Sequence, residues 1–202
     1  MPLSWFDFAW PWIGLVPAAA IVIVLFGTEW VAGGDLKRRW RDPAWTGWLI
    51  AATYMVHQFE EYGIDATGLH RAFPAAMCGV LGYAAEACPV PPAFYLAVNI
   101  PLTWIAAPIA ALLARRLPLV GLGFAGLLLV NGLTHLVPTA LGHGYDAGAL
   151  TAALLFLPLS FVVARTFFWH GPFARADGAL VIVCGALIQG VLIASLLAGS
   201  AG

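Results

Sequence analysis

The chain has 202 residues, 62% of them hydrophobic and only 9% charged, with a formal net charge of −1. Soluble domains run at roughly 45–50% apolar and about 25% charged, so this composition, with a mean hydropathy of +0.90, excludes an ordinary soluble protein. No basic run is long enough to follow a phosphate backbone, which excludes nucleic acid as a partner and leaves membrane lipids as the expected surroundings.

A membrane-crossing helix needs roughly 20 mainly apolar residues. In chain order, six segments qualify, at about 11–33, 45–63, 93–114, 119–138, 148–170 and 178–198. The expected fold is therefore an all-α integral membrane protein, a six-transmembrane-helix bundle forming a single membrane domain over residues 1–202. The start, MPLSWFDFAWPW, has no basic n-region and carries Asp7, so the first span is expected to be retained. Trp5, Trp10 and Trp12 near one end, with Trp40, Trp45 and Trp48 near the other, are expected in interfacial belts. The first loop, DLKRRWRDP, holds Lys37, Arg38, Arg39 and Arg41, and Glu29 is a partner for that cluster. Arg115 and Arg116 follow span three, Arg165 and Arg175 flank the fifth loop, and only Arg71 lies on the other side. The positive-inside rule then puts loops one, three and five in the cytoplasm and both termini outside, across a plasma (bacterial inner) membrane.

The longest connection is 64–92. Within it PAAMCGVLGYAAEA (74–87) has the proline start and the length of a short interfacial or re-entrant helix on the outer side. Cys78 and Cys88 could pair there if the loop meets an oxidising compartment, whereas Cys184 stands alone in the last span and is expected as a small core residue. GLGFAG (121–126) supplies small residues for close helix packing. No internal repeat supports an inverted-repeat transporter.

The informative residues are polar ones at membrane depth. His57, Glu60 and Glu61 share one face of span two, with Thr53 and Tyr54 extending it. An ionised carboxylate there costs at least about 2–3 kcal/mol and normally faces a partner inside the bundle. Three readings are open: a divalent metal held by nitrogen and oxygen ligands, a His/Glu proton relay, or hydrated residues near the outer boundary. Span four ends in NGLTHLVP, where Asn131 and His135 lie one helical turn apart at the depth of His57. Asn99 enters from span three at a similar level, and GHGYDAG adds His143, Tyr145 and Asp146 from the loop above. This convergence favours the metal. His170 reads as interfacial, Gln189 as a lone helix-joining amide, and Asp65, His70 and Glu86 as loop surface.

His57-Gln58-Phe59-Glu60-Glu61 resembles the signature of the HXXEE family of small multi-span membrane proteins. The resemblance extends to the Asn-x3-His element of Asn131 and His135. It extends also to the turn Tyr145-Asp146-Ala147-Gly148 leading to Thr151, although Asp and Ala stand where the family usually has Ser and Pro. It implies a metal site built from the His/Glu set and implies no particular reaction.

A nitrogen and oxygen set without a nearby thiolate suits zinc first, with iron or manganese as alternatives. His57, Glu61 and His135 are the expected ligands, with Glu60 as general base towards a water that the cation activates, or the two glutamates exchanged. Asn131 and Asn99 are expected as orienting or oxyanion-type donors, and Tyr145 and His143 as an acid or orienter. The expected activity is that of a metal-dependent, hydrolase-like membrane enzyme acting on a lipid-like substrate from the outer side. The alternative is a proton- or ion-coupled transporter, or a non-catalytic membrane factor, using the cluster as a proton relay. A transport path would need polar residues through both halves of the membrane, and the cytoplasmic half has few beyond Glu29 and Gln189.

Overall fold

A computed structural model describes residues 3–199, and no strand occurs among them. Helix α1 spans Trp5–Gly27. It starts where Ser4 accepts from the Asp7 amide and the Asp7 carboxylate accepts from the Ser4 amide, a reciprocal cap that satisfies two otherwise orphaned donors. It stops where the Thr28 hydroxyl turns back to the Val24 carbonyl. The helix thus begins at Trp5 rather than near residue 11, and Glu29 falls in the following loop. There Glu29 meets Arg39 at 3.5 Å, and the Arg39 guanidinium also donates to the carbonyls of Leu25, Thr28 and Gly34.

A single turn, α2 (Leu36–Arg39), is capped by Asp35. Helix α3 (Pro43–Tyr62) is capped by Asp42, with Pro43 in the first turn, where its missing N–H costs nothing. Helix α4 (Ala72–Val80) and a 3₁₀ turn (Ala85–Ala87) form the connection that follows α3, tied together by a Cys78–Cys88 disulfide. Four long helices follow: α5 (Pro92–Leu113), α6 (Pro118–Ala140), α7 (Ala149–Trp169) and α8 (Arg175–Gly199). Wide π turns interrupt α5 at Ile100–Ala106 and α7 at Ala152–Phe156 and Ala164–Trp169. Pro101, Pro108 and Pro158 lie in or beside two of these stretches; a proline cannot donate and crowds the preceding turn.

Helices α1, α5, α6, α7 and α8 are long and apolar enough to cross a membrane, which marks the chain as a helical membrane protein. Helix α3 is not apolar enough by the same measure, since His57, Gln58, Glu60 and Glu61 fall in it. Yet it is the most enclosed helix: 15 of its 20 residues are buried, and α1, α5 and α6 pack along it while α4 and α7 meet its end. The α6–α8 contact is made by glycines. Gly126 and Gly185 leave no room for a Cβ against the facing backbone, the close approach that small residues allow between helices in lipid. The tryptophans divide: Trp5 and Trp12 are exposed, whereas Trp10 and Trp45 are buried, Trp45 donating its indole N–H to the Leu25 carbonyl. A belt position was expected for all of them; those two instead fill the space between α1 and α3.

Candidate metal centre

The spacing of four between His57 and Glu61 puts both on one face of α3, and the parallel helix α6 brings His135 to the same level. The two imidazoles lie with ring centroids 4.9 Å apart. Glu61 Oε1 stands 3.6 Å from His57 Nε2 and 3.4 Å from His135 Nε2. One potential ligand atom from each residue falls within 4.8 Å of the others, and all three side chains are buried. Two ligands each roughly 2.1 Å from a tetrahedral cation would be about 3.4 Å apart, close to both glutamate–histidine distances.

Hydrogen-bond roles explain why the three groups face one another. His57 Nδ1 lies 2.6 Å from Thr151 Oγ1, and that hydroxyl itself lies 2.5 Å from Glu60 Oε2. The single hydroxyl proton goes to the carboxylate, so Thr151 accepts from His57 Nδ1–H and leaves Nε2 with a bare lone pair in the neutral ring. His135 Nδ1–H donates to Asp146 Oδ1 at 2.5 Å, so its Nε2 is bare in the same way. His57 Nε2 is buried and has no hydrogen-bond partner. Two nitrogen lone pairs and a carboxylate oxygen therefore converge with no donor between them, an arrangement that a cation would neutralise. Outer partners on the far nitrogens are what metal-binding histidines usually have, because they fix ring tautomer and orientation.

The walls are as specific. Gly148 has φ +107, a left-handed conformation that favours glycine, and a Cβ there would lie 2.7 Å from His57 Cε1 and 2.9 Å from His135 Cε1. The turn therefore presses bare backbone against both rings. Phe156 lies against His57 with centroids 4.2 Å apart, and Phe73 flanks His135.

Glu60, the other carboxylate expected at the centre, points elsewhere. It accepts from the amides of Leu150 (3.0 Å) and Thr151 (2.7 Å), from the Thr151 hydroxyl, and from the Tyr145 phenol. Gly148, at the start of α7, has no side chain to cap that helix, so Glu60 caps it from α3, where orphaned N–H groups and the helix dipole favour an anion. Burial, and then the Glu60 carboxylate, raise the Tyr145 phenol above its ordinary value.

Asn99 is brought close but is fully engaged. Gln58 donates to Asn99 Oδ1 (2.8 Å) and Thr103 Oγ1 (2.5 Å), Trp104 donates to Gln58 Oε1 (2.8 Å), and Asn99 Nδ2 donates to the Tyr62 hydroxyl and the Tyr95 carbonyl. Asn131 Nδ2 reaches Gln189 on α8 at 3.4 Å, while its Oδ1 is buried without a partner. His70, His143 and His170 are exposed and outside the cluster. Sequence reasoning missed the roles of Gln58, Thr151 and Asp146. The signal for Gln58 was available: an amide inside the HxxEE run, in the most polar helix, needs partners of its own.

Beside the cluster lies a cavity of about 290 Å³, lined on one side by the polar side chains around His57, Glu61 and His135, Asp146 and Asn131 among them, and on the other by apolar side chains of α4, α5 and α8. The arrangement can hold a cation with open positions next to a space for an organic molecule.

Neither a curated protein nor a solved structure matches the chain. The family described as "Protein of unknown function with HXXEE motif" matches residues 48–163. That stretch is more than half the chain and carries His57, Glu61, His135, Asp146, Gly148 and Thr151 together, so the chain belongs to the HXXEE family.

Proposed function

We propose that this protein is a membrane-embedded, metal-dependent enzyme that acts on a lipid-like substrate, with His57, Glu61 and His135 as the ligands of a divalent cation. The observation that carries this reading is the convergence of three acceptors, one of them a buried nitrogen without a partner, in a site whose outer hydrogen bonds fix both rings. Zinc fits the donor set best, and iron or manganese also suits it. Three protein ligands leave positions open, as catalytic rather than structural sites do. A divalent ion there supplies a Lewis acid able to polarise a carbonyl or activate water, which favours hydrolase-like chemistry. Around it, Thr151 and Asp146 hold the rings, Glu60 holds Thr151 and the start of α7, and the cavity admits the substrate beside Asn131. The general-base role expected for Glu60 has less support than its capping role, because four donors already occupy its oxygens.

Helix α3 serves as a sixth span, shielded from lipid by its neighbours. Loops one, three and five face the cytoplasm by the positive-inside rule, and the Cys78–Cys88 bridge supports an outward, oxidising side for the connection over the site. In a bacterium this membrane is the plasma membrane. A proton-relay function is the second reading, favoured by the chain of hydrogen bonds from His57 through Thr151 and Glu60 to the exposed Tyr145.

Metal analysis of protein purified without chelator separates the two. About one equivalent of bound metal is expected in wild type, none in His57→Ala, Glu61→Ala or His135→Ala, and roughly 10–100-fold weaker binding in Asp146→Asn. Wild-type protein without metal, or undiminished metal in all three ligand variants, would sink the metal reading.

A further inference from the structure

We infer that the cavity beside the metal centre takes a neutral, single-chain lipid whose head carries a hydroxyl or carbonyl group. This deepens the metal reading by naming the substrate class, and rests on it only for the head's place next to the ligands.

The first argument is where the orphaned polar atoms lie. Among the described residues, five buried side-chain atoms lack a hydrogen-bond partner: Thr46 Oγ1, Tyr54 OH, His57 Nε2, Tyr95 OH and Asn131 Oδ1. Four of those five residues, all but Thr46, line this one cavity. An unpaired buried polar group is costly, so three such atoms besides the ligand nitrogen, all on residues of one cavity, favour an occupant with a polar head. Two phenols and an amide oxygen match a group that both donates and accepts, as a hydroxyl does, or a carbonyl flanked by a donor.

The second argument is charge. No lysine or arginine is among the described residues lining the cavity, whereas the carboxylates Glu61 and Asp146 are. Phosphate and diphosphate heads are normally held by arginine, lysine or free helix N-termini. The nearest helix start, that of α7, is already taken by Glu60. Beyond the cation itself, an anionic head would find no positive side chain among the described residues of the cavity.

The third is the shape of the far end. Leu81 and Val80 of α4 face Leu192, Ile193 and Leu196 of α8 across an apolar wall. Val80 is 76% exposed and Ile193 44%, so this apolar end reaches the surface of the bundle, where a tail would continue into surrounding lipid. About 290 Å³ lies at the lower end of ligand-pocket volumes, room for one chain rather than two.

The test is photolabelling in nanodiscs with a diazirine-bearing long-chain alcohol and with the same chain ending in phosphate. The alcohol should label α4 and α8 at residues 77–81 and 192–196, be displaced by monoolein, and label about tenfold more strongly than the phosphate. Leu192→Trp, which fills the tail end, and Val80→Trp, which narrows the exposed mouth, should each lower labelling about tenfold while metal content stays at the wild-type level. Equal labelling by the phosphate probe, or labelling spread over α1 and α8 and unaffected by both variants, would overturn the inference. Localised labelling of a protein that holds no metal overturns the metal reading and keeps this one; metal-loaded protein with no localised labelling does the reverse.

Discussion

Helices α3 and α8 are similar in length and opposite in every other respect. Helix α8 is the most apolar of the five long apolar helices, and most of it is exposed at the surface of the bundle. Helix α3, which carries the buried ionisable residues, is much less apolar and is almost wholly enclosed. In water the relation would run the other way, with the apolar helix inside. In lipid there is no hydrophobic drive between helices, so apolar faces point outward and the polar, ionisable helix is wrapped by the rest. Strength of hydropathy therefore locates the wall of this protein, and weakness of hydropathy locates its site.

The sharpest way to break that contrast is to disturb the centre of the wrapped helix without touching a ligand. Gly148→Ala introduces a methyl group against both imidazoles at a left-handed φ. The strained backbone alone is expected to cost about 1–3 kcal/mol, and metal affinity should fall by roughly tenfold or more because both rings must move. Gly142 also has a left-handed φ, +84, with nothing within 4 Å of a Cβ, so Gly142→Ala should show backbone strain and keep its metal. Equal metal contents in the two variants would remove the steric role assigned to Gly148.

Gln58→Leu separates fold from site within the same motif. It leaves the Trp104 indole N–H without its buried acceptor, and Asn99 Oδ1 without a donor, at about 1–3 kcal/mol for each orphaned group. Thermal unfolding in detergent should drop measurably while metal content holds. Loss of metal with unchanged stability would mean that the amide belongs to the centre.

The smallest effect is expected on α8. Leu187 is 65% exposed, and Leu187→Ala should change unfolding by no more than about 0.5 kcal/mol. A larger loss would show that this face is covered by protein rather than lipid.

Much of this was legible in the residues. Five of the six expected spans reappear as apolar helices, and α3 as a helix over nearly the expected residues, because runs of apolar residues between caps and prolines are local information. A short helix was expected at 74–87 as well, and one forms as α4 over Ala72–Val80, followed by the 3₁₀ turn Ala85–Ala87. The pairing of His57 and Glu61 followed from helical period, and the approach of His135 from two parallel helices at equal depth. The start of α1 was misjudged because Asp7 was read for its charge and not as half of a cap with Ser4. Trp10 and Trp45 were read as interfacial because composition says where an aromatic ring is comfortable, not whether a neighbouring helix covers it.

The sequence by itself determined that this is a helical membrane protein, that its ionisable residues cluster on one helix, and which residue types could bind a cation. These follow from period, length and the cost of charge in lipid. Only the tertiary structure decided between the adjacent glutamates. One residue of helical advance turns Glu61 towards His135 and Glu60 towards the N-terminus of α7, and which neighbour waits at each angle is a property of the packed bundle. The same holds for Asp146 and Thr151, whose hydrogen bonds to the two rings span a turn and a helix start. No local pattern in His57-Gln58-Phe59-Glu60-Glu61 could have named its partners, because a hydrogen bond across the bundle exists only once the helices meet.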